Sequence, residues 1–276
     1  MLSQWNSFLK NLGEWHGSFT RMTPQGEVTD DIPSIVTLEG RQDNKAVHQV
    51  VHYMPKGDRQ MNDVVVDYTP TSMSRSILFF EDGTFCQGSM QWSPYSQFGA
   101  EFGMVEGDRR LRMVELYNNS SKLERVVIIR EKLPDSQTPE RPQLTVNDLI
   151  GEWHGEAVTM YADLQNPDTY SSQLKIKQTD SNTIEQTLSF GNRNITSIAR
   201  IEDNRLLFEK GDLPVQILLL PDGASCNCPL ETKLGQRFVL EMGWLLEPKR
   251  RKRIMRSFDD KGTWTSCTLV TETKMN

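Results

Sequence analysis

The pentapeptide Gly-Glu-Trp-His-Gly occurs twice in the chain, at residues 13–17 and again at residues 151–155. The two copies begin 138 residues apart, which is half the length of a chain of 276 residues. A five-residue identity that includes both Trp and His rarely arises by chance. An internal repeat on this scale indicates a fold made of two similar units, so the other features of the sequence are interpreted against it.

Three further blocks extend the duplication. Residues 78–86 resemble residues 218–226 and residues 98–104 resemble residues 238–244, both at an offset of 140, and residues 106–131 align with residues 247–272 at an offset of 141. The matched blocks keep the same order in both halves, and the offset changes only by small insertions. The sequence therefore predicts a tandem duplication, in which corresponding positions can be compared one by one.

Length and composition agree with two domains. Units of about 135 residues are close to the usual domain size, and each can bury a core of its own. Residues 133–143 contain three prolines and no hydrophobic periodicity, which is typical of a linker. We predict one domain at residues 1–132, a linker at residues 133–143 and a second domain at residues 144–276.

The charge and cysteine content exclude some classes of protein. A net charge of −6 argues against a nucleic-acid-binding protein that relies on phosphate contacts. The first residues lack the basic and apolar regions of a signal peptide, and no apolar run is long enough to span a membrane. Four cysteines are few for a disulfide framework. We therefore expect a cytoplasmic protein, in a reducing compartment, that binds no nucleic acid.

The hydrophobic residues alternate along much of the chain, which predicts strands. One strand face carries Phe238, Leu240, Met242 and Trp244, and the repeat equivalent carries Phe98, Ala100, Phe102 and Met104. Roughly eight or more short strands per unit, separated by turn residues, favour a sandwich or a closed barrel. Helical spacing is found only before the first strand, in residues 5–12. The predicted fold class is all-β with a short N-terminal helix.

A short helix followed by Gly-x-Trp on the first strand resembles the lipocalin-like proteins of the calycin superfamily. The resemblance implies two tandem antiparallel β-barrels, in which Trp15 and Trp153 each pack across a closed barrel end beneath an arginine from a late strand. The shared candidates for that arginine are Arg112 and Arg253, with Arg110 and Arg251 as alternatives. Stacking of a guanidinium on an indole ring is physically favourable.

Residues 107–117 and 126–131 carry a closer resemblance. They are similar to a family of two-barrel, lipocalin-like proteins from cyanobacteria and plastids that has no assigned reaction, and more distantly to phycobiliprotein lyases and bilin chaperones. The resemblance to the two-barrel family covers the whole chain.

The sequence offers three weak candidates for chemistry: His16 with His154, His48 with His52, and Cys226 with Cys228. The first pair adjoins the repeated Trp, where a side chain packed at the barrel end is favoured over an acid–base role. The second pair has no third ligand at a suitable spacing, and the Cys-x-Cys segment lacks the partner pair of a zinc knuckle. We predict no catalytic residue and no metal site.

Residues 248–253, Pro-Lys-Arg-Arg-Lys-Arg, resemble a nuclear-localisation or nucleic-acid motif. The repeat instead aligns Arg250, Arg251 and Arg253 with Arg109, Arg110 and Arg112. These arginines therefore belong to the duplicated fold, and a solvated turn with one structural arginine is favoured. Contact with an acidic partner protein or with a ligand carboxylate stays open.

Two classes of function follow, with a third behind them. The first is a non-enzymatic binding protein that holds a hydrophobic, fatty-acid-like or tetrapyrrole-like molecule, such as a bilin, inside a barrel. Its candidate ligand-binding residues are Phe98, Phe102, Met104, Phe238, Met242 and Trp244, and the first barrel is favoured because Ala100 leaves more space than its counterpart Leu240. The second class is an assembly chaperone or scaffold that binds partner proteins through barrel surfaces. The third is a bilin lyase or isomerase.

Overall fold

The computed structural model describes residues 3–163 and 165–275, and it consists almost wholly of antiparallel strands. A helix α1 (Gln4–Phe8) and a 3₁₀ turn (Leu9–Asn11) precede the first strand. The strands of the first half are β1 (Gly13–Met22), β2 (Val28–Arg41), β3 (Ala46–Tyr53), β4 (Val64–Tyr68), β5 (Ile77–Phe79), β6 (Phe85–Gly88), β7 (Phe98–Glu106), β8 (Arg109–Tyr117) and β9 (Leu123–Lys132).

The second half repeats this order. It begins with a helical turn α2 (Val146–Leu149) and continues with β10 (Gly151–Tyr161), β11 (Asp168–Asp180), β12 (Thr183–Phe190), β13 (Arg193–Glu202), β14 (Arg205–Phe208), β15 (Val215–Leu219), β16 (Ala224–Pro229), β17 (Phe238–Glu247), β18 (Arg250–Phe258) and β19 (Trp264–Lys274). No helix among the described residues is long and apolar enough to cross a membrane.

The two sheets differ in closure. Strands β10–β19 pair in sequence order, and β19 pairs with β10, so the second half is a closed barrel of ten strands. The first half is a curled sheet of nine strands in the order β4-β3-β2-β1-β9-β8-β7-β6-β5. Within the described ranges no ladder joins β4 to β5, which leaves these two strands as edges. The predicted fold class is confirmed, and the open first sheet is a feature that the repeat did not indicate.

The difference in closure has a local cause. In the second half, β14 lies between β13 and β15 and pairs with both. In the first half, residues 69–76 connect β4 to β5 as turns and coil, without a strand among them. Hydrogen bonds within this connection hold residues 69–73 as a compact turn, including bonds from the backbone N–H groups of Ser72 and Met73 to the carbonyl oxygen of Thr69. The first sheet therefore lacks the counterpart of β14.

Both halves contribute to one large apolar core where they meet, and each unit also has a smaller core of its own. Backbone hydrogen bonds join them in two pairs: Trp92 N–H to Gly262 O with Thr232 N–H to Ser121 O, and Leu123 N–H to Leu230 O with Trp264 N–H to Met90 O. Within each pair, applying the repeat offsets of 140 and 141 turns one bond into the other. The halves therefore meet across an approximate twofold axis, with equivalent residues exchanging equivalent contacts.

Candidate functional site

At the base of the first unit, tryptophan, arginine and glutamate form a ladder. Trp15 is buried, and its Nε1 donates to the carbonyl oxygen of Asn11 at 3.0 Å. The guanidinium of Arg110 lies 4.6 Å from the centre of the Trp15 ring. Arg110 in turn donates two hydrogen bonds to Glu131, at 2.7 and 3.0 Å. The helical turn before the first strand thus holds the indole in place, and Arg110, the first charged residue of the interior, stacks on that indole.

The ladder continues with a second arginine. Arg112 stands two residues along the same face of β8 and also donates two hydrogen bonds to Glu131, at 2.9 and 3.1 Å. Its Nη1 donates to Glu101 at 2.8 Å. Two arginines and two glutamates therefore neutralise one another inside the open sheet.

The second unit repeats the ladder. Trp153 Nε1 donates to Leu149 O at 2.9 Å, and the guanidinium of Arg251 lies 4.5 Å from the ring centre. The remaining members are Arg253, Glu241 and Glu272, with Arg253 bonded to both glutamates and Arg251 bonded to Glu272. The stacked arginines are thus Arg110 and Arg251, the alternatives of the sequence prediction. Arg112 and Arg253 lie one layer further on, because two positions along a strand return to the same face.

The ladder shifts the pKa of its members. Burial alone would raise the pKa of Glu272, but Arg251 and Arg253 outweigh it and lower this pKa to about 2. Glu131 behaves alike, since Arg110 and Arg112 overcome burial and lower its pKa. Both carboxylates are ionised over the ordinary pH range, so the ladders act as fixed ion networks and not as proton donors.

A small cavity of about 90 Å³ lies inside the open sheet, beside the ladder. Its polar lining includes Gln49, Gln87, Glu101 and Arg112, and phenylalanines and aliphatic residues supply its apolar lining. Met73, from the connection between β4 and β5, also lines it. A depression of about 470 Å³ opens nearby, along Gly99, Val114 and Leu116. Burial raises the pKa of Tyr68, which lines the cavity.

The edge strand β4 borders this cavity. Val64 and Val66 lie opposite Val51 and Gln49 of β3, and Gln49 lines the cavity, so this face of β4 is turned inward. Val64 and Val65 are 45% and 55% exposed, which is unusual for valines in a sheet. A strand with apolar side chains and one unpaired backbone edge is a template for pairing with another chain.

The six candidate ligand-binding residues occupy a different place. Phe98, Phe102, Met104, Phe238, Met242 and Trp244 are all at most 4% exposed and belong to the core shared by both halves. The ring centres of Phe98 and Phe238 are 5.8 Å apart across the twofold interface. The expectation that this face turns into a barrel is therefore corrected. The inward face of β7 carries Gly99, Glu101 and Gly103 instead. These residues pair with Leu116, Val114 and Arg112 of β8, and Arg112 belongs to the ladder inside the unit.

The histidines lie outside both interiors. His16 and His154 pair with Glu14 and Glu152 of the same pentapeptides, at 2.6 and 2.8 Å, on exposed strand faces. His48 and His52 pair with two different aspartates, Asp67 and Asp63. A position packed at the barrel end, expected for the first pair, is thus not observed. All four histidines contact carboxylates on the outer surface.

In residues 248–253, the basic run, four side chains form ion pairs within the protein. Arg250 contacts Glu106 and Glu247, Arg251 and Arg253 belong to the ladder, and Lys252 contacts Asp82 and Glu106 of the first half. Arg109, the counterpart of Arg250, contacts Asp222 of the second half at 3.0 Å. Two of the aligned arginines in each half serve the ladder, and the others link the halves.

Comparisons with known proteins agree with this architecture. One family model, Domain of unknown function (DUF3598), N-terminal, matches residues 1–136. A second, Biogenesis factor required for ATP synthase 1, C-terminal domain, matches residues 140–275. No curated protein matches the chain.

Two solved structures illustrate the range of similarity. A crystal structure of a DUF3598-family protein of unknown function from Nostoc punctiforme is 43% identical, covers 100% of both chains and has a TM-score of 0.93. An S-type phycobiliprotein lyase from Guillardia theta is 14% identical over 47% of this chain and 90% of its own, with a TM-score of 0.36.

Fold and site define a protein of two fused antiparallel β-units, one closed and one open, each built on a Trp–Arg–Glu ladder. The chain belongs to the DUF3598 family.

Proposed function

We propose that this protein is a non-enzymatic assembly factor that binds an extended segment of a partner protein at the open edge of its first sheet. The observation that carries the proposal is the contrast between the two halves. One copy of the repeat closes with ten strands, while the other stops at nine, and among the described residues β4 and β5 do not pair with each other. An added strand is a common mode of peptide recognition, in which main-chain hydrogen bonds supply the affinity.

The chemistry of the edge fits such a partner. Exposed Val64 and Val65 would contact apolar side chains of the added strand, one on each face of the sheet. The inward residues of the added strand would reach Tyr68 and Met73 at the cavity. We therefore infer a partner segment with alternating apolar residues and no proline at its centre.

The name of the matching C-terminal family model supports an assembly role, since that model describes a biogenesis factor required for ATP synthase. We propose that the partner segment belongs to a subunit of ATP synthase before that subunit is incorporated. Subunits awaiting assembly expose surfaces that later become interfaces, and a temporary strand partner would cover one of them.

The test is a titration with purified ATP synthase subunits. The four native cysteines are buried, so a Val65→Cys variant can be labelled at that position with an environment-sensitive dye. Ile195→Cys is the matched control, because Ile195 is 50% exposed on a strand of the closed barrel. We expect one subunit to change the emission at position 65 and not at position 195.

A loop graft tests whether the partner binds because the first sheet lacks a counterpart of β14. Replacing residues 69–76 by residues 203–214 supplies β14 to the open sheet and should reduce affinity at least tenfold. A Gly/Ser connection of the original length keeps the edge open and should retain binding. Equal affinity of the grafted and wild-type proteins, or the absence of binding to every subunit, would exclude the proposal.

A second function, binding of an apolar carboxylate or a bilin, is favoured by the depression along Gly99, Val114 and Leu116. The cavity beside the ladder, of about 90 Å³, is much smaller than the roughly 300–1,000 Å³ of typical ligand pockets. In addition, Arg112 is bonded to Glu101 and Glu131, so its charge is compensated without a ligand. Titration with biliverdin and with a solvatochromic fatty-acid analogue tests this function, and Val114→Trp should abolish binding by filling the depression.

A further inference from the structure

A cluster of three buried ligand-type side chains lies where the two halves meet. Glu115 of β8 approaches Cys226 and Cys228 of β16, and one carboxylate oxygen and the two sulfurs all lie within 4.8 Å of one another. All three residues are 0% exposed. The carboxylate comes from the first half and both thiols come from the second.

The polar groups of this cluster are poorly partnered. The carboxylate of Glu115 faces the Cys226 thiol and the backbone N–H of Glu241, but among the described residues neither of its oxygens makes a hydrogen bond of ordinary geometry. The same is true of Oε1 of Gln216, which is also 0% exposed. Gln216 of β15 is paired with Cys228 of β16, and its side-chain amide nitrogen lies 3.9 Å from the Cys228 sulfur. Buried polar groups are costly without full hydrogen bonding, so this arrangement favours a bound ligand.

The geometry of the sulfurs identifies the class of ligand. Cys226 and Cys228 are two residues apart on one strand, so they share a face, and their sulfurs are 3.8 Å apart. Two thiolates on one tetrahedral zinc, each at about 2.3 Å, are separated by about 3.8 Å. A disulfide would require about 2.05 Å. Two sulfurs and a carboxylate oxygen form a ligand set that suits zinc.

We propose that Glu115, Cys226 and Cys228 bind a zinc ion, with the side-chain amide oxygen of Gln216 as the fourth ligand after that amide rotates and gives up the 2.6 Å hydrogen bond that its nitrogen donates to the carbonyl oxygen of Pro24. Because the ligands come from both halves, the ion would connect the two units as a structural site. A structural zinc of this kind stabilises the folded state in proportion to its affinity.

The twofold-related position supports this assignment. Under the repeat, Cys226 corresponds to Cys86 and Glu115 corresponds to Arg256. There the buried guanidinium of Arg256 donates to the Cys86 sulfur at 3.0 Å, so a protein cation lies against the sulfur. Gly88 replaces Cys228 at this second position, which removes one sulfur. A cation accompanies the equivalent sulfur in one copy, and the other copy has the ligands to bind a metal cation.

The experiment measures metal bound by the full chain. Protein refolded with Zn²⁺ and dialysed should contain one zinc per chain by mass spectrometry. The Co²⁺-substituted protein should show thiolate-to-cobalt charge-transfer absorption in the near ultraviolet. Cys226→Ser and Cys228→Ser should each lose this absorption, and Glu115→Gln should weaken Co²⁺ binding at least tenfold. Cys267→Ser is the control, because Cys267 is buried outside the cluster, and it should bind cobalt like wild type.

Several results would overturn the proposal. These are a wild-type protein that folds in the presence of Zn²⁺ but retains none, a cobalt spectrum without thiolate bands, or a Cys226–Cys228 disulfide in protein purified under reducing conditions. If the serine variants fail to fold, the zinc proposal is judged by the metal content of the wild-type protein and by the Co²⁺ titration of Glu115→Gln. The site is separate from the open edge, so this outcome is independent of partner binding.

Discussion

Trp15 and Trp153 show how one residue type organises each unit. The indole closes the base of the sheet, donates its single N–H to the last helical turn, and offers its ring face to an arginine. The arginine is then held by a glutamate from a neighbouring strand. The buried guanidinium is stable here because the indole ring packs against its face and the glutamate accepts its hydrogen bonds and balances its charge.

The first prediction concerns Trp153. Trp153→Ala should lower the free energy of unfolding by about 3–5 kcal/mol, because it leaves a cavity and removes the ring beneath Arg251. The matched control is His154→Ala, at the next position on the exposed face of the same strand, which should change stability by less than about 0.5 kcal/mol. Urea unfolding followed by circular dichroism measures both, and equal midpoints for the two variants would contradict the ladder.

The second prediction concerns acid. The pKa of Glu272 is about 2 in the folded protein and 4.5 ordinarily, so the unfolded chain takes up this proton first as the pH falls. The contribution of Glu272, about 3 kcal/mol, is therefore complete above pH 4.5 and is lost between about pH 4.5 and pH 2. Glu272→Gln should show a shallower dependence over this window in chemical unfolding. An unchanged slope would show that the ladder does not hold the carboxylate ionised.

At the scale of the element, alternation predicted the strands but not which face is inward. The pattern of Phe98, Ala100 and Phe102 is equally consistent with a barrel interior and with an apolar outer face against another unit. The residues between them give the missing signal, since Glu101 and Glu241 are repeat equivalents, as are Gly103 and Gly243. A glutamate followed two positions later by a glycine, repeated in both copies, indicates an inward ion network, whereas the large apolar residues pack between units.

The third prediction tests strand packing within the pentapeptide. A Cβ atom at Gly17 would lie 2.1 Å from the backbone oxygen of Arg130, so β1 and β9 would have to separate. At the equivalent Gly155 the nearest atoms belong to the side chains of Ser172 and Val270, both at 2.8 Å, and these can move. Gly17→Ala should therefore destabilise by more than Gly155→Ala, each by about 1–3 kcal/mol or more. Thermal unfolding compares them, and the reverse order would contradict this packing.

At the scale of the molecule, the halves share a core and should unfold together. The rings of Phe98 and Phe238 are in contact, and Tyr117 of the first half donates to the carbonyl oxygen of Pro229 in the second at 2.7 Å. Separating the units would expose this surface to water, which couples their stabilities.

The fourth prediction follows from that coupling. Calorimetry of the intact chain should give one transition, and Trp15→Ala and Trp153→Ala should each lower the temperature of that same transition. Two transitions, with each substitution affecting only one of them, would mean that the shared core contributes little to cooperativity.

The sequence predicted the large features because they repeat. The duplication, the all-β class, the helix before the first strand and the base tryptophans all leave matching residues in both halves. The open edge was not predictable, since it depends on the absence of one short strand, and residues 69–76 are too short and too polar to show what they replace. The buried Glu115 cluster was not predictable either, because Glu115 lies more than a hundred positions from the two cysteines, and Glu115 and Cys228 have Arg256 and Gly88 as their counterparts in the other copy.

The twofold exchange of contacts between the halves has a historical consequence. An interface in which equivalent residues meet is the arrangement of a symmetric homodimer, so the present chain is best explained as two ancestral subunits joined by gene fusion. Covalent linkage makes the encounter of the two units intramolecular and keeps them paired at any cellular concentration. The copies were then free to diverge. One copy now closes with ten strands, and the other stops at nine.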